Sequence, residues 1–182
     1  MLFQITSFLL DIAAGLLGGA CLLRLYMQYQ RIAFGNPVGR LVFALTDWLV
    51  LPLRRIVPAI GRWDTASIVG VYVIELAQFS LLWLLTGRIT TFAIIPLLAV
   101  FGVVRLFISA LTGLVIVYAI LSWVRSDSPI VDVIDRLCAP LLRPWRKLIP
   151  LVGGIDLSPL AFLVALQVAA IMLAYLQAAV LR

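Results

Sequence analysis

NPVGRLVFALTDWLVLPLRRIVPAIGRWD, residues 36–64, returns as SPIVDVIDRLCAPLLRPWRKLIPLVGGID, residues 128–156. One ungapped shift of 92 positions sets Pro37 on Pro129, Pro52 on Pro144, Arg54 on Arg146, Pro58 on Pro150, Gly61 on Gly153 and Asp64 on Asp156. Long apolar runs flank each copy. A duplicated unit of this kind folds as two like halves, so every position is read beside its counterpart.

Working outward, the chain has 182 residues, is 64% hydrophobic and only 12% charged, far from the average soluble domain. Apolar runs of about 20 residues match what a helix needs to cross the hydrocarbon layer. The reading is an all-α, polytopic membrane protein with four spans. No Lys or Arg precedes the apolar stretch from Met1 to Leu10, so that stretch is expected to remain as a span and not to act as a secretory signal. The net charge of +6 does not point to nucleic acid. Ten of the fourteen basic residues lie in or just before the two repeat loops: Arg31, Arg40, Arg54, Arg55, Arg62, Arg125, Arg136, Arg143, Arg146 and Lys147. That is the positive-inside pattern, which sets topology and attracts anionic lipid. The chain has no His, and Cys21 and Cys138 fall in different halves. No metal, haem or other cofactor site is expected.

The first repeat is assigned to residues 1–88, with spans at about 8–29 and 68–85 around the basic loop 30–67. The second is assigned to 89–182, with spans at about 97–123 and 159–181 around the loop 124–158. Residues 86–96 connect the halves, as a loop or as a half-helix. With both basic loops cytoplasmic, the two helix–loop–helix units are parallel, related by an axis along the membrane normal.

Asn36-Pro37 and Ser128-Pro129 each place a capping side chain ahead of proline at the first helical position. Behind the first, Val38, Leu41, Val42, Leu45, Trp48 and Leu49 form an apolar stripe, with Arg40, Ala44 and Asp47 opposite. Behind the second, Ile130, Val133, Ile134, Leu137 and Leu141 do so, with Asp132, Asp135 and Arg136 opposite. These amphipathic helices lie either on the membrane surface or on the protein's own spans. Pro52 and Pro144 are expected to break them, leaving a separate basic turn closed by Pro58 or Pro150. Arg54, Arg55, Arg143, Arg146 and Lys147 are the candidate lipid- or partner-binding residues. Gly61 and Gly153 permit a bend. Asp64 and Asp156 are expected to cap the next helices or pair with Arg54 and Arg146, and Ser158-Pro159 to cap the fourth span.

Four charges fall within or near the spans: Asp11, Arg24, Glu75 and Arg105. An intramembrane charge costs a few kcal/mol, by rough estimate, so each must face protein or water. Along the spans the repeat shift becomes 94, which sets Asp11 opposite Arg105, Gly15 opposite Ser109 and Gly19 opposite Gly113. Each trio shares one helix face, and small residues spaced by four let helices approach. The first and third spans are therefore expected to cross through these stripes, with Asp11 paired to Arg105 near the outer end. The pair joins the halves in register, or lines a gated polar pathway. A second pair, Arg24–Glu75, is sterically reasonable, though its counterpart, Tyr118 with Gln167, is uncharged. No nucleophile, base or phosphate-cradling loop accompanies these charges, so no enzyme is expected.

Arg24-x-x-Met27-Gln28, Asn36-Pro37, PLRRIVP at 52–58, SWV at 122–124, Ser128-Pro129 and PLLRPWRKLIPLVGGIDLSP at 140–159 resemble the YggT family of small bacterial inner-membrane proteins, which has relatives in cyanobacteria and plastids. The likeness covers nearly the whole chain. It implies an inner-membrane location and roles tied to osmotic stress and cation (potassium) uptake, with relatives linked to cell division, nucleoid distribution and cytochrome assembly. It carries no catalytic residues. The expected function is a non-enzymatic membrane scaffold or assembly protein that engages anionic lipid or a membrane-protein partner at the cytoplasmic face. The alternative is a cation channel or transporter component. A homo-oligomer is also expected, with the apolar stretch 72–83 as one surface.

Overall fold

The computed structural model describes residues 2–85, 92–123, 128–149 and 156–181. Six α-helices follow in order: α1 (Leu2–Tyr29), α2 (Pro37–Ile56), α3 (Thr65–Leu85), α4 (Ile95–Trp123), α5 (Pro129–Leu148) and α6 (Ser158–Val180). Four of them carry stretches long and apolar enough to cross a membrane: Phe3–Tyr29, Thr65–Leu85, Phe92–Ser122 and Ser158–Val180. The other two, α2 and α5, are the amphipathic helices of the repeat. Four spans are expected and four are found among the described residues; α1 starts six residues, α3 three and α4 two before the expected starts at 8, 68 and 97. Between the halves, Phe92–Ile94 forms a 3-10 turn that runs straight into α4. The repeat boundary at 88–89, the rest of the connection at 86–91, Pro150 and Gly153 lie outside the described residues.

Local chemistry explains where α2 and α5 begin. The Asn36 side chain accepts from the Gly39 N–H at 2.8 Å, and the Ser128 hydroxyl accepts from the Ile130 N–H at 3.3 Å. Pro37 and Pro129 follow as first helical residues, where the missing N–H costs nothing. Gly39 also lets the chain double back: an added Cβ would collide with the Phe34 backbone, 2.6 Å from its Cα.

Pro52 and Pro144 do not end these helices. Both run on to Ile56 and Leu148 with proline inside, which corrects the expected break. Each proline forfeits one ladder bond. The turn beyond is retained because it is fastened at both ends. Its backbone closes through Val57 N–H to Leu53 O at 2.8 Å and Ile149 N–H to Trp145 O at 2.9 Å, and its arginine pairs with an aspartate ten residues on. The bend at Gly61 is as expected. Its φ is +61°, and Ile60 and Trp63 exchange both backbone hydrogen bonds across it.

Among the described residues the interior has two apolar centres. In one, Met27, Val42, Val133, Ile134, Leu137, Cys138 and Leu142 join the loop-side end of α1 to α2 and α5. In the other, Cys21, Leu22, Val50, Ala66, Val71 and Leu106 join α1, α2, α3 and α4. α5 therefore lays its apolar face on the protein's own helices. α2 divides its stripe: Val42 is buried, with Val50 beside it, whereas Leu41 and Trp48 remain exposed for the acyl boundary. Along the spans, α3 packs on both α1 and α4, and α6 packs on α4 and α5.

Candidate functional site

Two polar layers cross this apolar bundle. The first lies at the loop-side ends of the spans and occurs in both halves. Asp64 and Asp156 stand just ahead of α3 and α6, where a negative charge meets the positive end of the helix dipole. Asp64 accepts from Ser67 Oγ at 2.7 Å. Asp156 accepts from both the N–H and the hydroxyl of Ser158, at 2.9 and 2.6 Å. Leu157 stands at the cap position of the fourth span, and Asp156, not Ser158, takes up the first N–H of that helix. Arg54 pairs with Asp64 at 2.7 Å and Arg146 with Asp156 at 2.8 Å, which ties each amphipathic helix to the span that follows. The guanidinium of Arg54 also donates to Gln28 Oε1 at 3.0 Å, and that of Arg146 to the Tyr118 hydroxyl at 2.6 Å.

The halves differ around one buried cation: Thr46 and Asp47, which bond it in the first half, are matched by Cys138 and Ala139 in the second. Where the second half has Tyr118, the first has Arg24, only 2% exposed. Arg24 donates to Thr46 Oγ1 at 2.8 Å and to Asp47 Oδ1 at 2.6 Å, and its Nε lies 3.6 Å from Asp64. The Phe43 ring covers the guanidinium at 4.8 Å, in cation–π range. Arg24 does not meet Glu75, so that expected pair is corrected. Asp47, which the helix pattern set on a solvated face, is its partner. Two cations (Arg24, Arg54) and two anions (Asp47, Asp64) make a neutral group that clamps α1, α2 and the start of α3 together.

Burial works to raise the Asp64 carboxyl, but hydrogen bonds from Arg54 and Ser67 and the charges of Arg54 and Arg24 hold it below the usual carboxylate range. Asp156 is lowered as well: its burial works upward and is outweighed by hydrogen bonds from Ser158 and Arg146. A folded-state value below the unfolded one gives stability that is full above about pH 4 and is lost as pH falls through the folded value. The midpoint of thermal unfolding in detergent should therefore drop steeply below about pH 4, and Asp64→Asn should flatten that drop while lowering the midpoint at pH 7. Burial pushes the Cys138 thiol up to about 12, with Asp135 adding to the rise, so it is no nucleophile at neutral pH.

The second layer lies among the spans. Gln78 Nε2 donates to Asp11 Oδ1, linking α3 to α1. Glu75, one turn along α3 from Gln78, is 1% exposed, and its Oε2 has no hydrogen-bond partner. That oxygen lies against Gly102 of α4, where a Cβ would overlap it. Arg105 and Asp11 are the charged groups that act on Glu75. At 1.5 Å per residue, Asp11 and Arg105 lie about 20 Å from Arg24 and Tyr118, and Glu75 about 17 Å from Asp64. A further 14–15 Å or so of helix continues beyond each. The layer is thus near mid-membrane, not at the outer end.

Asp11 and Arg105 do not pair within 4.0 Å among the described residues, and both are exposed on the surface of the bundle. Nor do the small-residue stripes cross. A Cβ at Gly15, Gly19 or Gly113 would meet nothing within 4 Å, and Ser109 is exposed. α1 and α4 meet at Gly18 and Leu106 instead. Gly15, Gly19 and Gly113 line an open apolar groove of about 360 Å³, bounded towards the loops by Leu41 and Leu45 of α2 and Ile134 of α5. The other candidate cations, Arg55, Arg143 and Lys147, are exposed at the ends of α2 and α5. Arg143 shares a cleft with Ala139, Pro140 and Arg146.

Thr46, Ser67, Gln78 and Gly102 join the site without a place in the sequence reading, and Asp47 joins it from the face set opposite the apolar stripe. Gln78 had a signal, a polar residue one turn from Glu75 in an apolar helix. Thr46 and Asp47 had none that a helical wheel could reveal.

Comparison with known proteins adds a lineage to this geometry. A sequence model described as CCB3/YggT matches residues 3–85 and 97–177, two segments that follow the two halves. YggT of Escherichia coli, an uncharacterised protein, is 36% identical over 89% of this chain and 85% of its own length. A Vibrio alginolyticus protein from the proC 3' region is 33% identical over 90% of each chain. The chloroplastic YlmG homolog protein 2 of Arabidopsis thaliana is 43% identical over 32% of this chain and 24% of its own length. No solved structure matches.

Proposed function

This chain belongs to the CCB3/YggT family, and from that membership we propose that it is a non-enzymatic membrane scaffold whose two basic helices engage anionic lipid, or a partner protein, at the cytoplasmic face. The observation that carries the reading is the repeated use of one device. Each half lays an amphipathic helix along the loop-side polar layer, fixes its last turn with an arginine–aspartate pair, and leaves its remaining terminal cations exposed. Arg54 and Arg146 are committed to Asp64 and Asp156. Arg55, Arg143 and Lys147, at the ends of the same helices, are exposed and make no ion pair among the described residues. The apolar groove supports the lipid form of the reading, because an acyl chain seated there brings its headgroup to the level of α2 and α5. In this reading the bacterial inner membrane is the site of action, and the link to osmotic stress follows from scaffolding in that membrane.

The test is thermal unfolding of the full chain in nanodiscs, with and without an anionic lipid fraction. Anionic lipid should raise the midpoint, and salt should erase the rise. Each surface basic residue contributes about 1 kcal/mol to anionic-lipid attraction, so the combined variant Arg55→Gln, Arg143→Gln and Lys147→Gln should lose roughly 100-fold in apparent lipid affinity at low salt. Equal stabilisation by zwitterionic and anionic lipid sinks the reading.

A second reading, a cation or proton pathway component, is favoured by one observation: the unpartnered Glu75 oxygen near mid-membrane. Flux into liposomes containing the pure protein separates the two. A selective leak abolished by Glu75→Gln supports the pathway, and tight liposomes support the scaffold.

A further inference from the structure

Asp11 and Arg105 pose a problem that the single chain does not solve. Both sit near mid-membrane, and both are exposed on the bundle surface. Asp11 accepts one hydrogen bond, from Gln78. No ion pair or hydrogen bond ties Arg105 to any described residue, although its charge acts on buried Glu75. Their surroundings are as apolar as the spans themselves: Phe8 and Ile12 are 62% and 51% exposed beside Asp11, and Val104 is 41% exposed beside Arg105. Charges here cannot stay against acyl chains, and from about 15 Å inside the helix end an arginine does not snorkel to the headgroups.

We propose that this surface is covered by a second copy of the chain, in a two-fold dimer that sets Asp11 of each copy against Arg105 of the other. A two-fold interface is self-complementary: if residue i of one copy meets residue j of the other, then j also meets i. A surface with one cation and one anion, at matching positions of the repeat and of similar depth, meets that requirement. It closes both ion pairs at once and hides the edge of the Glu75–Gln78 layer from lipid. Exposed Ser109, one turn from Arg105, leaves room for close approach. This surface lies beside the lipid groove, not in it, and the dimer does not depend on the scaffold reading. It also differs from the apolar 72–83 stretch expected from sequence.

The experiment is energy transfer between separately labelled full-length copies in proteoliposomes, diluted with lipid. Wild-type copies should associate. Asp11→Arg alone and Arg105→Asp alone should each weaken association about 100-fold or more, since each apposes like charges twice. A mixture of Asp11→Arg copies with Arg105→Asp copies should regain it, because both contacts then join opposite charges. An intrachain pair cannot give that rescue. No rescue in the mixture, with rescue only when both changes are in one chain, overturns the dimer. So does an absence of wild-type association at every dilution. Should the reversals fail to fold, oxidative cross-linking of Ile12→Cys copies to Ser109→Cys copies keeps both charges. A cross-link between copies supports the interface, and its absence, or a cross-link to a different protein in native membrane, overturns it.

Discussion

Arg24→Leu will cost the protein about 3–5 kcal/mol, the range for removing one partner from a buried ion pair, read as a fall in the unfolding midpoint in detergent. The reason is not the loss of one bond. Arg24 holds Asp47 on α2, approaches Asp64 ahead of α3, and starts from α1, so its removal leaves half-exposed Asp47 unpaired and buried Asp64 with Arg54 as its one cation. Arg24→Lys should recover part of the loss, because the ammonium keeps the charge but not the planar fork that reaches Thr46 and Asp47 together. The repeat supplies the sharper control. Arg24→Tyr with Asp47→Ala reproduces the second half, in which Ala139 stands at the position of Asp47, Tyr118 receives the arginine and Asp156 has one cation. That double variant should be clearly more stable than Arg24→Leu. If it is not, the cost lies in packing and not in orphaned charge.

Gly102→Ala will have the second large effect. Its methyl would fall on Glu75 Oε2, 2.7 Å from Cδ and 3.0 Å from Phe79 Cε2. Overpacking of a dense interior costs about 1–3 kcal/mol. Here the displaced group is a buried carboxyl whose Oε2 already has no hydrogen-bond partner. Adding Glu75→Ala should return most of the loss, which makes the coupling between the two positions measurable as a double-mutant cycle. An additive result would mean that α3 and α4 do not meet at this point.

Much of this was legible in the chain because it rests on local or repeated signals. The four spans follow from apolar length, and the starts of α2 and α5 from Asn36-Pro37 and Ser128-Pro129. The Arg54–Asp64 and Arg146–Asp156 pairs follow from the repeat, since the same ten-residue spacing occurs twice. What failed needed tertiary placement. A helical wheel puts Asp47 opposite the apolar stripe of α2, but it does not say which flank of a surface-lying helix meets a span, and that flank is where Arg24 arrives. Pro52 and Pro144 read as breaks because the local rule ignores the pairs that hold the next turn in place. The glycine stripes read as a crossing of α1 and α4. Yet α3 packs on both of those helices, and they meet each other at Gly18 and Leu106, so the stripes open onto a groove.

The buried charge group at the loop-side ends has a consequence for bilayer thickness. From Arg24 back to Leu2, and from Asp64 on to Leu85, the apolar helices run about 32–33 Å, and from Asp156 to Val180 about 36 Å, slightly more than the ~30 Å of an average hydrocarbon slab. The ion group fixes one boundary, because Arg24 and Asp64 cannot slide into oil without α2 coming with them. All hydrophobic mismatch therefore falls on the opposite ends of the helices, and a thinner membrane is met by tilting of the whole bundle about that fixed edge.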